Sequence, residues 1–210
     1  MCFETIFIDL DDTLYPATCG LYSVLSKRME LYMVERMQIS PETAPKIRQD
    51  LFQKYGTTYR GLTAVYKINE DDFMDYVHNI PLSPYLHENL ELRETLELYP
   101  QRKVIFTNAD TPHAKRVIKA LGLEGLFEQI IDIHDISPYY KPQMEAFQKA
   151  LQLAGVKNPG DCVMIDDTKR NLLGAKEAGL FTIQAGVRDR PTEVDAAIMT
   201  LLDLPNVIPV

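Results

Sequence analysis

Thr5-Ile6-Phe7-Ile8-Asp9-Leu10-Asp11-Asp12-Thr13-Leu14 is the stretch that decides the fold. Thr5 to Ile8 are β-branched or aromatic and carry no charge, and they run directly into carboxylates and a threonine. A strand apolar on both faces belongs inside a parallel sheet covered by helices. Ligands of such sheets sit beyond the carboxyl ends of the strands, which is where Asp9 and Asp11 fall. Alternation along an extended chain turns these two carboxylates to the same side. At about 4 Å apart and an effective dielectric near 20 they would repel by about 4 kcal/mol. A cation, a shared proton or both must offset that repulsion. An N-cap cluster is the plainer reading, but a cap needs one such residue and this turn offers four.

Composition narrows the class. The chain has 210 residues, 46% hydrophobic and 25% charged, the balance of an ordinary globular protein with a full core. A formal net charge of -8 argues against nucleic-acid binding and against acidic membrane surfaces. An anionic substrate remains compatible if a metal and a few local cations reverse the sign in the site. Cys2, Cys19 and Cys162 are odd in number and follow no metal spacing, as expected of reduced thiols in a cytoplasmic protein. The N-terminal segment reads as a strand rather than a signal peptide, and no run approaches the ~18 apolar residues of a spanning helix.

After Leu14 the pattern changes. Leu21, Leu25, Met29 and Tyr32 recur at helical spacing, and Ser40-Pro41-Glu42 reads as the start of a second helix, although Pro45 allows a later one. Thr57 to Tyr66, broken by Gly61, is ambiguous, and Asn69 caps a helix that opens on Glu70-Asp71-Asp72. No strand pattern occurs between residues 16 and 83. From Leu86 the α/β alternation resumes, with apolar strands at Lys103–Phe106, Gln129–Ile133, Cys162–Ile165 and Leu180–Gln184, and helices between them. Val194 to Leu202 reads as a peripheral helix. These features predict an α/β protein: a Rossmann-like, doubly wound, mostly parallel sheet with an all-helical insertion.

Polar groups stand at four strand or loop ends: Asp9/Asp11, Thr107/Asn108, Lys141 and Asp166/Asp167. In a parallel sheet all of them can converge on one edge. Carboxylates with a lysine, and without His or Cys, form a hard-oxygen site suited to Mg²⁺ rather than zinc. A hydroxyl, an amide and an ammonium group suit the non-bridging oxygens of an incoming phosphoryl group. The set points to phosphoryl transfer onto an aspartate followed by hydrolysis of the acyl phosphate.

The chain resembles the haloacid dehalogenase superfamily of phosphatases over essentially its whole length. Asp9-Leu10-Asp11-Asp12-Thr13 matches the first motif, Thr107 the second, Lys141 in Tyr140-Lys141-Pro142 the third, and Asp166-Asp167 the fourth. The resemblance implies residues 1–15 and 84–210 as catalytic core and 16–83 as helical cap. It implies Asp9 as nucleophile and Asp11 as general acid, then base. Thr107, Asn108 and Lys141 would hold phosphate; Asp9, the Asp11 carbonyl and Asp167 would hold Mg²⁺, with Asp166 either a further ligand or behind the ligands. Asp9–Pro16, Tyr55–Leu62 and Thr107–Ala109 followed by His113–Val117 resemble the pyrimidine 5'-nucleotidase branch, with Asp12 in place of its usual glycine or asparagine. That branch implies a small phosphorylated metabolite as substrate, nucleoside 5'-monophosphates first, with Tyr59, Arg60 and His113 as substrate-contact candidates. A sugar phosphatase or phosphomutase is the alternative. A metal-free dehalogenase would not keep Asp11, and a signalling receiver carries no helical insertion after its first strand.

Overall fold

The computed structural model describes residues 3–210, so Cys2 lies outside it. Thr5–Ile8 form strand β1, buried along its whole length. Arg102–Phe106 (β2) and Cys162–Asp166 (β4) flank it, both parallel to it. Gln129–Ile131 (β3) lies beyond β2, and Phe181–Gln184 (β5) with the two-residue Ala196–Ala197 (β6) lies beyond β4. Among the described residues these strands form one parallel sheet in the order β3-β2-β1-β4-β5-β6. This is the doubly wound order, and its direction of winding reverses at β1 and β4. The α/β Rossmann-like expectation is met.

Register explains why the strand ends meet. Ile8 is level with Ile105 and with Ile165, so Asp9, Phe106 and Asp166 leave the sheet at one height. Phe7, Val104, Phe106 and Met164 pack on Ala146, Phe147 and Leu151 of helix Met144–Leu153 and on Leu172 and Ala175 of helix Lys169–Glu177. The Phe106 ring meets Phe147 edge-on at 5.4 Å. Helices Leu90–Glu97 and Thr111–Ala120 complete the α/β alternation.

The chain divides into two compact units, Met1–Cys19 with Tyr85–Val210, and Gly20–Pro84. Among the described residues the second unit holds helices Leu21–Met37, Ala44–Tyr55, Thr58–Tyr66 and Glu70–His78 and no strand. Tyr32 meets Phe73 edge-on at 5.1 Å, and Arg48 pairs with Glu30 at 3.1 Å. The ambiguous 57–66 stretch is helical despite Gly61, and packing explains the glycine. A Cβ there would stand 2.6 Å from Leu51 Cβ, so its absence lets two helices approach closely. The helix sought at Pro41 begins later, at Ala44, with Pro45 in its first turn.

The peripheral helix expected at Val194–Leu202 does not form. Ala196 and Ala197 instead pair with Ile183 and Gln184 on the open edge of β5. The Asp195 carboxylate fixes that register by accepting from the Thr182 amide at 2.9 Å and hydroxyl at 2.8 Å. Thr200 then opens a short 3-10 turn, Leu201–Asn206, through a reciprocal cap with Asp203. Cys19 and Cys162 are thiols. Among the described residues no helix is long and apolar enough to cross a membrane.

Candidate active site

The site grows from the end of β1. Asp9 prolongs the ladder by one step, its amide donating to the Ile165 carbonyl at 2.9 Å, and its carboxyl group is almost fully buried. Lys141 arrives from the loop after β3 and is 1% exposed. Its Nζ lies 2.8 Å from Asp9 Oδ1, 2.7 Å from Asp166 Oδ2 and 2.9 Å from the Phe106 carbonyl. Three acceptors satisfy the three donors of an ammonium group.

Asp166 is saturated. Lys141 and Asn171 Nδ2 (3.1 Å) donate to its Oδ2, and the Thr168 amide (2.9 Å) and Asn171 Nδ2 (3.0 Å) to its Oδ1. Asp167 is held differently. Its amide donates to Thr13 Oγ1 at 3.0 Å and its carbonyl accepts from Gln184 Nε2 at 3.1 Å, while its carboxylate accepts from the Thr168 hydroxyl. Carboxylate oxygens of Asp9, Asp166 and Asp167 fall within 4.8 Å of one another. With Asp166 engaged by its own donors, Asp9 and Asp167 are the carboxylates of an oxygen-only set that fits Mg²⁺.

The local charges explain why a cation is wanted. Burial pushes the Asp9 carboxyl well above the usual range; Lys141 opposes that rise, and Asp166 and Asp167 add to it. Burial, then Asp166 and Asp12, push Asp167 up to about 7. Burial, then Asp11, push Asp12 up to about 6. Burial alone would lower the Lys141 ammonium, but Asp166 and Asp9 outweigh it and raise it. One lysine does not neutralise this many acids.

Thr107 and Asn108 follow β2. The Thr107 hydroxyl accepts from the Ala109 amide at 2.9 Å, which leaves its own hydrogen to donate. Asn108 was expected to hold phosphate through its amide side chain. That amide is instead engaged at both ends by Lys141: Oδ1 accepts from the Lys141 amide and Nδ2 donates to the Lys141 carbonyl, each at 2.9 Å. Asn108 therefore sets the position of the lysine.

Asp11 carries the other proton-transfer candidate group. Its Oδ1 accepts from the Tyr15 hydroxyl and lies 3.0 Å from His113 Nε2. His113, expected among the substrate contacts, is fully buried in the first turn of helix Thr111–Ala120. Tyr15 stays protonated: burial raises its phenol strongly and the Asp11 charge raises it further. Tyr59 and Arg60 belong to the helical unit. The Tyr59 ring is buried and stacked on Phe73, its hydroxyl bonds Glu70, and the Arg60 guanidinium lies 5.2 Å from the Tyr59 ring. Tyr59 is thus a packing residue of that unit rather than an open contact surface.

Sequence reading overlooked Tyr15, Thr13 and Asn171 as parts of the site. Asn171 gave one signal, a polar residue five positions beyond Asp166 on the first turn of a helix. Thr13 lay within the quoted motif, but nothing in the sequence tied its hydroxyl to Asp167.

Comparison with known proteins matches residues 3–179 to the haloacid dehalogenase-like hydrolases. The chain belongs to that family. This hydrolase is 26% identical over 193 residues to phosphate metabolism protein 8 of Saccharomyces cerevisiae, with 84% of the chain covered. It spans 60% of that relative's length. It is 25% identical over 187 residues to the pyrophosphatase PpaX of Bacillus cereus, covering 87% of the chain and 82% of the relative. In fold it is similar to a magnesium-bound crystal structure of the HAD hydrolase YfnB from Bacillus subtilis, with TM-score 0.67 and 17% identity over the full length of both chains.

Proposed function

We propose that this hydrolase is a cytoplasmic, Mg²⁺-dependent phosphomonoesterase that works through an aspartyl phosphate on Asp9. The observation that carries the reading is the buried Asp9 carboxylate, 2.8 Å from Lys141 Nζ, with Asp11 two residues on held by separate donors. A dehalogenase has no need of that second, independently held acid. The names of the yeast and Bacillus relatives favour a phosphorylated substrate.

The steps follow from the side chains. The ionised Asp9 carboxylate attacks phosphorus, and the leaving oxygen departs with a proton from Asp11. Water then attacks the same phosphorus, Asp11 takes its proton, and inorganic phosphate leaves with Asp9 restored. Lys141 and Thr107 bind the non-bridging oxygens, where charge must be met in both transition states. Mg²⁺, when bound by Asp9, the Asp11 carbonyl and Asp167, supplies positive charge that lets a carboxylate meet a phosphate dianion. Asp166, whose oxygens are already occupied by Lys141, Asn171 and the Thr168 amide, orients the lysine and the turn. The helical unit is the cap of this reading. Nucleoside 5'-monophosphates, pyrimidine ones first, are its preferred substrates, with sugar phosphates as the alternative.

A substrate screen tests both levels. CMP and UMP should exceed AMP, GMP and sugar phosphates in kcat/KM, and exhaustive chelation should stop turnover until Mg²⁺ is returned. Equal kcat/KM for all nucleotides would discard the branch assignment alone, whereas full activity in chelator would discard the mechanism.

A further inference from the structure

We propose that His113 is the positioning residue of Asp11, an inference that rests on the phosphatase reading. The imidazole is fully buried, with Nε2 3.0 Å from Asp11 Oδ1; that oxygen accepts both when Asp11 is ionised and when it carries its proton on Oδ2, so Nε2 serves as the donor in both states of the cycle. The Tyr15 hydroxyl donates to the same oxygen. Aspartate χ1 has three wells and χ2 is broad, so a lone Asp11 would sample many orientations. Two donors, Tyr15 four residues on and His113 102 residues on, converge on one oxygen and select one of those orientations.

The aim of the imidazole is itself fixed. Its helix is pinned at the start, where Asp110 accepts from the His113 amide at 3.3 Å and Asp132 accepts from the Thr111 amide at 2.8 Å. Burying an imidazole costs free energy that an aliphatic side chain would not, and the bond to Asp11 offsets that cost.

One fixed orientation serves both proton transfers. In-line displacement expels the leaving oxygen on the side of phosphorus opposite Asp9. The water that cleaves the aspartyl phosphate must also attack opposite Asp9. The two oxygens therefore occupy the same place in turn, and an acid held there can return as the base without moving. His113 touches neither oxygen and acts through Asp11.

The test uses the Mg²⁺-loaded full chain and p-nitrophenyl phosphate, whose leaving group needs no proton. His113→Ala should form the aspartyl phosphate normally and hydrolyse it slowly. Expected are a burst near one equivalent of p-nitrophenol, ~10- to 100-fold lower kcat and phosphate accumulating on Asp9. His113→Gln, which restores a donor, should recover most of the loss, and Tyr15→Phe should show a milder form of it; both keep side-chain bulk should His113→Ala fold poorly. In an Asp11→Asn background His113→Ala should cost nothing more in kcat. Multiplicative losses in that background, or lower kcat without phosphoenzyme accumulation, would overturn the positioning role while leaving the phosphatase. Wild-type enzyme that never carries phosphate on Asp9 would overturn the phosphatase reading itself, and this inference with it.

Discussion

Lys141→Met keeps the length of the side chain and removes its charge. In the wild type Nζ stands 2.8 Å from Asp9 and 2.7 Å from Asp166, all three groups buried. Deleting one partner of a buried ion pair costs about 3–5 kcal/mol, because the other charge stays behind without compensation. The two pairs share one nitrogen, so the cost is not doubled. Asp166 keeps Asn171 and the Thr168 amide, so most of the cost falls on Asp9. Burial already holds the folded Asp9 carboxyl above its unfolded value, and Lys141 is the main opposing influence, so its removal raises the carboxyl further. An acid raised on folding loses stability as pH climbs from its unfolded value, near 4, to its folded one. The lysine's own contribution, with its ammonium raised on folding, is complete below pH ~10 and does not change across this window. The deficit of Lys141→Met should therefore be several kcal/mol at pH 8 and distinctly smaller at pH 5. Urea unfolding in metal-free buffer at both pH values, followed by far-ultraviolet circular dichroism, measures it. A deficit below about 1 kcal/mol at pH 8, or one larger at pH 5 than at pH 8, would refute the argument.

Asp9→Asn should lose turnover and all covalent label from radioactive substrate, since an amide is no nucleophile; rapid-quench labelling checks this. Gly174→Ala would place a Cβ 2.2 Å from the Pro142 carbonyl oxygen and 2.8 Å from Phe147, so the loop bearing Lys141 must shift. It should cost about 2 kcal/mol or more in urea unfolding and lower kcat with it. Metal-free wild type should lose stability as pH rises from about 4 to 7, because Asp167, raised to about 7, is protonated in the folded state over that range. Asp167 contributes at most about 4 kcal/mol, the buried Asp9 adds in the same direction, and the partly exposed Asp12 adds little after solvent screening. Mg²⁺ should raise the melting temperature more at pH 8 than at pH 5, as it needs ionised ligands; equal shifts at the two pH values in calorimetry, or none, would show that these carboxylates do not bind it.

The sheet was legible because its central strands leave no choice. Thr5–Ile8 and Cys162–Ile165 offer no polar face, so they must lie inside a parallel sheet, and the acids that follow must lie at its carboxyl edge. Local signals misled where a distant partner decides. Val194–Leu202 has a helical pattern, but pairing with the exposed edge of β5 draws Ala196–Ala197 into a strand. The acids were found as types, whereas their partners were not. His113 reads from sequence as a substrate-contact candidate near a motif, and only the fold reveals its burial against Asp11, 102 positions earlier. Asn108 sits beside Thr107, the candidate phosphate-binding hydroxyl, and nothing in its sequence neighbours shows that both ends of its amide are already taken.

That grip of Asn108 on Lys141 also bears on how this hydrolase ages. Asparagine is thermolabile, and slow hydrolysis of its side-chain amide turns nitrogen into oxygen. At Asn108 the Oδ1 bond to the Lys141 amide would survive, but an oxygen would face the Lys141 carbonyl where Nδ2 now donates at 2.9 Å. Two acceptors would repel across the joint that holds the lysine, and one more negative charge would enter a site already rich in them. A mass change of about one dalton, invisible to denaturing gel electrophoresis, would thus loosen the lysine that faces Asp9, and stored protein would lose activity before it lost its fold.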